Sequence, residues 1–451
     1  MKNLIIRNGL AIDGENKAEQ RDIFVCNGII SEKTPPSEAT EIDAAGKLVM
    51  PGLVEAHAHF STGPEGYFML ARAGVTTALD MLTVNDNFRK YLQDTPTGLT
   101  AAFLYGVYPG KTTADANPSE VEINALIKRA LAMGCAGVKI IGGHFPLTAE
   151  ATTRVIRQAN EHGCWVAIHV GTTNYGSDIE GLKELKELAA DLPVHVAHVN
   201  SYCRGKIMDD PVKEALEAIE IIKAMPNSIS ESYLDQINGC SAEITADNMP
   251  KSNVTRTCLR RGGFSENKQG LLDAIAAGWA QVNGKTHREI VLLPPDEGLK
   301  YYQDNNLETR VSFAVNSPAA QIALALARDE NNHFVINALS TDGGNIPRNS
   351  TLSKGLALVD FGALSLEDFA LKACVSPARM MGLEDRKGKL VPGMDADIIV
   401  VDQDKRKADI VISGGQIALR DGKFHPVANQ LLTLKRNSLA NSIPISPKWL
   451  Q

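Results

Sequence analysis

The amino-acid sequence predicts an α/β protein: a (β/α)8 TIM barrel with a small β-sandwich domain assembled from both termini. In the middle of the chain, short apolar runs alternate with helical stretches, a pattern typical of parallel strands joined by crossover helices. Both ends carry β-rich segments punctuated by turn dipeptides such as Asn8-Gly9 and Gly414-Gly415. The 451 residues exceed the ~250 that a barrel alone requires, which leaves room for the second domain.

These textures divide the chain into parts. Residues 1–52 and 386–425 are expected to form the composite sandwich, residues 53–385 the barrel, and residues 426–451 a C-terminal tail. Residues from 235 to about 312 are too long for one βα unit and are expected to be an insertion. Long connections at this end of a barrel commonly act as lids or specificity loops, the alternative being a solvated insertion or a subunit contact.

The barrel elements follow the apolar runs in chain order. The eight expected strands are Leu53–Phe60, Thr76–Leu82, Ala101–Tyr108, Gly137–Ile141, Trp165–Val170, Val194–Ser201, Ser228–Leu234 and Phe334–Asp342. The helices expected between them include Pro118–Met133, Thr148–His162, Asp178–Ala190 and Pro211–Ala224.

Composition excludes several classes of partner. Lys and Arg total 46 against 53 Asp and Glu, a formal net charge of −7, which argues against a nucleic-acid or anionic-membrane binder. The seven cysteines are scattered without a CxxC pair, as expected in a reducing compartment. The N-terminus lacks the apolar run of a signal peptide, and no segment approaches the ~18 apolar residues of a spanning helix. We therefore expect a cytoplasmic protein with a small-molecule partner.

The strongest local motif is the sequence VEAHAHF at residues 54–60. Because side chains alternate along a strand, His57 and His59 should point to the same side. Two imidazoles on one face at the end of an apolar strand can grip a metal ion. Such a pair alone is weak evidence, since coincidence produces it often.

Further polar groups mark other predicted strands. His169 and His198 lie near the ends of theirs, Asp342 ends the last one, and Lys139 sits inside the apolar run GVKII at residues 137–141. An unpaired charge in such a run would be costly. Since active sites of barrels gather at the C-terminal strand ends, we expect these groups to converge.

Three segments together resemble the amidohydrolase superfamily, and more closely its binuclear branch of dihydroorotases, hydantoinases and N-acyl-D-amino acid deacylases. PGLVEAHAH at 51–59 is similar to the family's first-strand motif, and HVAHVNS at 195–201 to its sixth-strand motif. SPARMMGLEDRKGKLVPGMDADIIVVD at 376–402 resembles the return from barrel to sandwich. The resemblance covers nearly the whole chain.

The resemblance implies a centre of two divalent metal ions, with zinc expected and manganese, iron or nickel as alternatives. Its implied ligands are His57, His59, Lys139, His169, His198 and Asp342. Lys139 would be N-carboxylated, so that a CO2-derived carbamate bridges the ions. A metal-bridging hydroxide would attack an amide carbonyl, and Asp342 would act as the acid/base.

The implied activity is hydrolysis of a non-peptidic C–N bond in a cyclic amide or an N-acyl amino acid. The alternatives are a deaminase or an esterase with the same site, or a catalytically silent scaffold of the same fold. Gly343-Gly344-Asn345 follows Asp342 where dihydroorotases and hydantoinases usually carry a histidine or cysteine. D-aminoacylases, by contrast, generally use a cysteine bridge in place of the strand-four lysine, so the substrate stays open. Homo-oligomers are common in the family.

A substrate carboxylate would need a fixed cation, best an arginine. The candidates, of which Arg204 is best placed because it follows the His198 strand, are Arg204, Arg256, Arg260 and Arg348. Tyr202 and Tyr233 are expected to hydrogen-bond the same group. His144, after the fourth strand, either touches substrate or packs its loop. His195 is expected to face the helices and to be structural.

Overall fold

The computed structural model describes residues 3–36 and 38–434, together with the backbone of 447–450. Strands at the N-terminus come first and are β1 (Leu4–Ala11), β2 (Glu19–Cys26), β3 (Ile29–Ser31), β4 (Thr40–Asp43) and β5 (Leu48–Pro51). The barrel units that follow are β6 (Leu53–His59), α1 (Glu65–Arg72), β7 (Val75–Thr83), α2 (Asn87–Asp94), β8 (Thr100–Val107), α3 (Glu120–Ala132), β9 (Gly137–Ile140), α4 (Ala149–Glu161), β10 (Trp165–Ile168), α5 (Ile179–Ala189), β11 (His195–Val196), α6 (Pro211–Lys223) and β12 (Ile229–Tyr233).

The insertion and the last barrel unit follow. The insertion holds β13 (Ile237–Ser241), α7 (Asn253–Arg261), α8 (Lys268–Ala276), β14 (Ala280–Lys285), β15 (Ile290–Leu292), α9 (Pro295–Asp304) and β16 (Arg310–Ala314). The chain then returns to the barrel with α10 (Pro318–Leu326), β17 (Ala338–Ser340), β18 (Gly343–Gly344), α11 (Thr351–Asp360), α12 (Leu366–Ala370) and α13 (Ser376–Met380). The C-terminal strands are β19 (Ile398–Asp402), β20 (Lys407–Ser413), β21 (Gln416–Arg420), β22 (Lys423–Phe424), β23 (Gln430–Leu434) and β24 (Pro447–Leu450).

The parallel barrel is confirmed. Strands β6 to β12 pair in sequence, β12 pairs with β17, and β18 returns to pair with β6. The eighth position of the barrel is therefore occupied by two short strands. β17 is hydrogen-bonded to the seventh strand, β12, and β18 is hydrogen-bonded to the first strand, β6, which closes the barrel. Side-chain caps begin the intervening helices where the sequence predicts them: Ser119, Thr148, Asp178 and Asp210 accept first-turn backbone N–H groups.

Two predicted strands were too long. The predicted Val194–Ser201 is regular only over β11 and then becomes a 3-10 turn, Val199–Tyr202. The predicted Phe334–Asp342 reduces to β17. In each case the strand is interrupted at a residue with positive φ, His198 at 32° and Asp342 at 48°. A left-handed residue cannot continue a strand, and an apolar run does not reveal it.

The β-rich domain assembled from both termini is also confirmed. Its nine strands form one sheet in the order β22-β21-β20-β19-β5-β1-β2-β3, with β4 paired to β1. The link between the two ends is the antiparallel pairing of β5 with β19, from Leu48 opposite Val401 to Pro51 opposite Ile398. Since β5 runs almost directly into β6, this sheet anchors the strand that carries the HxH motif.

The insertion is a folded unit that reaches the barrel mouth. Strands β13, β16, β14 and β15 form a four-stranded antiparallel sheet with an apolar core of its own, including Leu259, Val282, Tyr302 and Phe313. Residues 238–241 of β13 and Arg310 of β16 line the cavity at the barrel mouth. The insertion is therefore in a position to contact substrate.

The predicted C-terminal tail contains a strand that completes the barrel floor. Strand β23 pairs in parallel with the start of β8, and the Leu432 side chain enters the apolar layer inside the barrel beside Leu79 and Trp165. Just before β23, the Asn429 side chain accepts from the N–H groups of Thr97 and Leu99. Its amide also donates to the carbonyls of Leu92 and Thr95.

Among the described residues, no helix combines the length and the apolar character needed to cross a membrane. The homo-oligomeric state and the cytoplasmic location stay predictions of the sequence.

We expect Asn429→Ala to lower the free energy of unfolding by about 2–3 kcal/mol, because it strips partners from several part-buried backbone groups at once. Asn331→Ala is the control, since Asn331 is exposed and only its backbone N–H is hydrogen-bonded among the described residues. Urea unfolding of both variants measures the difference. Equal stability of the two variants would show that the Asn429 side chain does not anchor the tail.

Candidate metal centre

The polar side chains predicted to bind metal meet at the C-terminal mouth of the barrel. They all line one cavity of about 600 Å³ and are His57, His59, Lys139, His169, His198 and Asp342. Beneath them, the barrel interior is an apolar layer that includes Val54, Leu104 and Ala167. The period-two alternation of the strands directs Lys139 and His169 toward the barrel axis above this layer, whereas His198 and Asp342 follow the strand ends with positive φ.

The first group of ligand atoms gathers around the Asp342 carboxylate. Its Oδ1 lies 2.9 Å from His59 Nε2 and 3.3 Å from His57 Nε2. One ligand atom each from His57, His198 and Asp342 lies within 4.8 Å of the others. Ligand atoms from the first, sixth and eighth strand positions of the barrel thus lie close enough together to bind one metal ion.

The second group is a pair of facing imidazoles. His169 Nδ1 lies 3.0 Å from His198 Nε2. On the far side of the ring, His169 Nε2 lies 2.9 Å from Ser177 Oγ, which donates its own proton to the Val170 carbonyl. Since the Ser177 oxygen can then only accept, the His169 proton resides on Nε2 and the Nδ1 lone pair faces the cavity.

Lys139 projects between these two groups from β9. The residue is only 4% exposed, and among the described residues its Nζ has one hydrogen-bond partner, the Met81 sulfur at 3.9 Å. Burial lowers the pKa of Lys139 to about 8. An ammonium group in this position would be both desolvated and without a directly bonded carboxylate, which is costly.

Sequence analysis missed the acid that organises the site, Glu231 on β12. Its Oε1 accepts from His57 Nδ1 at 2.6 Å and from the His198 backbone N–H at 2.6 Å, and its Oε2 accepts from the Ser340 hydroxyl. Burial opposes ionisation of Glu231, but the His57 and His195 imidazoles hold its pKa well below the usual range. The carboxylate therefore places the proton of His57 on Nδ1 and turns the Nε2 lone pair toward the cavity. The sequence feature that could have indicated Glu231 is an acidic residue inside the predicted strand SISESYL at residues 228–234.

Glu55 is a second buried acid beneath the site. Its carboxylate accepts from the His57 N–H and the Thr341 N–H, both at 3.1 Å, and from the Thr341 hydroxyl at 2.8 Å. Burial raises the pKa of Glu55 to about 8. Glu55 thus links the first strand of the barrel to Thr341, the residue that precedes Asp342.

Two predicted ligands depend on strained backbone. His198 and Asp342 adopt φ values of 32° and 48°, a region that non-glycine residues seldom occupy. Such outliers persist where surrounding contacts hold them, and they cluster at functional sites. The next turn needs glycine: Gly344 has φ 75°, and a Cβ there would lie 2.5 Å from the His59 carbonyl oxygen.

The expectation that His195 faces the helices was wrong. Its Nε2 lies 3.7 Å from Glu231 Oε1, and its ring lies 5.6 Å from that of Trp165, inside the barrel. On a continuous strand, the offset of three residues would place the side chains of His195 and His198 on opposite faces. The left-handed turn at His198 breaks that alternation, so both side chains face inward.

The predicted tyrosine contacts lie behind the cavity wall. The Tyr202 hydroxyl donates to the Ala197 carbonyl and accepts from the Val170 N–H, while the residue is 1% exposed. The Tyr233 hydroxyl is shared among Ser201, Asn316 and Arg348. These hydroxyls hold the wall together and neither residue lines the cavity, which corrects the expectation that they contact substrate.

Arg348 lines the cavity, but its guanidinium is engaged by the protein. It donates to the Asp342 carboxylate and backbone carbonyl, and at 2.8 Å to the Ile237 carbonyl. Burial opposes ionisation of Asp342, whereas the Arg348 charge holds the pKa of this carboxyl well below its usual range. Arg348 therefore orients Asp342 and is not a free cation for substrate.

Of the remaining residues predicted to contact substrate, only His144 lines the cavity. His144 is exposed, with its ring edge-on to His169 at a centroid distance of 4.7 Å. Arg204 is held by the amide oxygens of Asn316 and Asn238, behind the lining. Arg256 and Arg260 bond to Asn253 and Glu266 on the insertion, and neither arginine lines the cavity.

The arrangement fits divalent metal ions. Two nitrogen ligands on one tetrahedral ion, with bonds near 2.1 Å, are separated by ~3.4 Å, close to the 2.9–3.3 Å between facing donor atoms here. Burial and the neighbouring imidazoles lower the pKa of His169 and His198 well below the usual value, which keeps the rings neutral. His57 Nε2 and His198 Nδ1 are buried without a hydrogen-bond partner. A cation facing the neutral nitrogens and the Asp342 carboxylate would satisfy this donor set.

The model of the amidohydrolase family matches residues 48–418. The chain belongs to the amidohydrolase family. It is an enzyme that hydrolyses carbon–nitrogen bonds other than peptide bonds, and the resemblance to the binuclear branch of the family is confirmed.

The relatives of this amidohydrolase are distant but cover most of its length. A dihydroorotase from Geotalea daltonii is 24% identical over 96% of each chain. A D-aminoacylase from Alcaligenes xylosoxydans xylosoxydans is also 24% identical, over 89% of this chain and 88% of its own. A solved D-aminoacylase described by its binuclear metal center is 18% identical, covers 94% of this chain and 98% of its own, and has a TM-score of 0.67. The solved structure shows the shared fold.

We expect Ser177→Ala to weaken metal binding by about 10- to 100-fold, because it frees the His169 ring to rotate and change tautomer. Competition with a chelator on the purified protein measures this affinity. Ser201→Ala is the matched control: Ser201 lines the same cavity but hydrogen-bonds the Tyr233 hydroxyl. Unchanged affinity in Ser177→Ala, or an equal loss in both variants, would contradict the orienting role.

Proposed function

We propose that this chain hydrolyses the amide bond of a cyclic amide or an N-acyl amino acid with a binuclear metal centre. His57, His59 and Asp342 would hold one ion, His169 and His198 the other, and a carbamate on Lys139 would lie between them. When bound, the two ions supply an activated water and polarise the amide carbonyl. Zinc suits this donor set, as do manganese, iron and nickel.

The observation that carries the proposal is the direction of the unshared donor atoms. Glu231 and Ser177 each occupy the outer nitrogen of an imidazole, so the inner nitrogens of His57 and His169 face the same cavity. Protein interiors pair buried polar atoms with few exceptions. Imidazole nitrogens whose lone pairs face one cavity, on the C-terminal side of a barrel, are what a metal-dependent hydrolase needs.

Lys139 supports the binuclear form of the site. Its amine is buried between both groups and has no directly bonded carboxylate among the described residues. Reaction of the neutral amine with CO2 forms an N–C bond and releases the proton, which converts the nitrogen into a carbamate anion. That anion would offer two oxygens to two cations and would remove the cost of a buried ammonium.

Asp342 is proposed to carry the proton. Arg348 and the Asp342 backbone geometry aim its Oδ1 into the cavity, beside His57 and His59. From there the carboxylate can take a proton from the attacking water and deliver it to the leaving nitrogen. His144, on the cavity wall beside His169, is the predicted substrate contact that keeps this assignment.

Asp342→Asn is expected to reduce turnover by about 100- to 10,000-fold, because the amide cannot carry the proton. Metal content should stay largely intact, since the other donors remain. The assay uses hydantoins, dihydropyrimidines and N-acyl D- and L-amino acids with the metal-loaded enzyme, and elemental analysis counts the metal.

Asp247→Asn, at an exposed carboxylate of the insertion, serves as the control and should keep wild-type activity. Turnover of any amide by wild type and Asp342→Asn at equal rates would remove Asp342 from the mechanism. Failure of the metal-loaded wild type on every amide would refute the proposed function.

A further inference from the structure

The insertion brings a second arginine, Arg310, to the cavity that Arg348 also lines. Arg310 is the first residue of β16, directly opposite Ser241 of β13 in the antiparallel register. Both residues line the cavity that holds the metal-ligand candidates. Arg310 therefore reaches the site from outside the barrel, through the inserted sheet.

Arg310 differs from the other cations of the lining. Lys251 pairs with Glu243 at 2.9 Å, Arg348 bonds Asp342, and Lys139 is the proposed carbamate. Among the residues that the structure describes, Arg310 makes no ion pair or side-chain hydrogen bond. Arg310 is an exposed residue at the start of its strand, and it lines the cavity. A guanidinium with five N–H donors is thus presented to the cavity with no protein acceptor.

Another part of the lining is apolar. The rings of Tyr108 and Phe145 have centroids 4.0 Å apart and are tilted by 41°, and Leu82 and Ile346 line the same cavity. The cavity therefore has a metal-binding floor, an apolar wall and one free cation near the insertion. A ligand that satisfies all three carries an amide, an apolar portion and an anionic group.

We propose that Arg310 binds a carboxylate of the substrate and makes this enzyme selective for amides that carry one. The planar guanidinium matches a carboxylate with two parallel hydrogen bonds, which fixes orientation as well as charge. The amide bond would then be held over the metal-ligand candidates while the insertion grips the anionic end. This inference rests on the proposed function, because it concerns the same cavity.

The test compares ligands that differ only at the anionic group. Dihydroorotate is paired with dihydrouracil, which lacks the carboxylate, and N-acetylmethionine of each configuration is paired with its carboxamide. Binding is measured on the whole metal-loaded protein by protection against thermal unfolding, and kcat/KM is measured wherever turnover occurs. Arg310→Gln removes the charge and keeps a polar side chain of moderate length.

Wild type should bind a carboxylate ligand more tightly than its neutral partner, and Arg310→Gln should erase this preference with a loss of about 10- to 100-fold for the carboxylate ligand alone. Arg310→Lys should retain part of the preference. Arg256→Gln is the control, since Arg256 lies on the same insertion but outside the lining.

Equal losses for both members of a pair, an unchanged preference in Arg310→Gln, or no carboxylate ligand bound by wild type would each overturn the inference. Arg310-dependent binding without hydrolysis of any amide would refute the proposed function but leave the carboxylate site standing. Hydrolysis with no preference that depends on Arg310 would do the reverse.

Discussion

The buried Glu231 carboxylate is the interaction on which the rest of the site depends. Glu231 lies on β12 and accepts hydrogen bonds from the His57 ring on β6, from the His198 backbone N–H after β11, and from the Ser340 hydroxyl on β17. A buried charge is tolerated only when it is well hydrogen-bonded, and here the bonds also join separate strands. Removal of one partner would leave uncompensated charge inside the barrel. The same contact that stabilises the barrel mouth thus orients the imidazole that faces the cavity.

The fold places polar atoms where a barrel has its open end and fills the other end with apolar side chains. Leu432 of the C-terminal strand enters the apolar layer, held by the hydrogen bonds of Asn429. Above it, His198 and Asp342 turn into the cavity because their backbones leave the strand with positive φ. Rigid strands position one set of donors, and strained turns position the other. The insertion then adds a wall that the barrel lacks.

Much of the fold and of the site could be predicted because it follows local rules. The spacing of His57 and His59, and Lys139 within an apolar run, show side-chain direction through strand alternation. His195 could not be oriented in this way, because the interruption at His198 is a tertiary effect. Glu231 and the Tyr233 hydroxyl act through contacts to residues remote in the sequence. Ser177 contacts His169 eight residues away, and the Tyr202 hydroxyl contacts Ala197 and Val170, through irregular segments that strand alternation does not describe. Arg310 was not singled out, because its position depends on how the insertion folds back over the barrel.

Two metal ions and a carbamate on Lys139 are proposed to occupy the barrel mouth. Anomalous diffraction from crystals grown with zinc and bicarbonate tests this proposal. We expect two anomalous peaks per chain, one beside His57 and His59 and one beside His169 and His198, with extra density continuous with Lys139 Nζ between them. A single peak, no peak, or an unmodified Lys139 in a fully metallated site would contradict it.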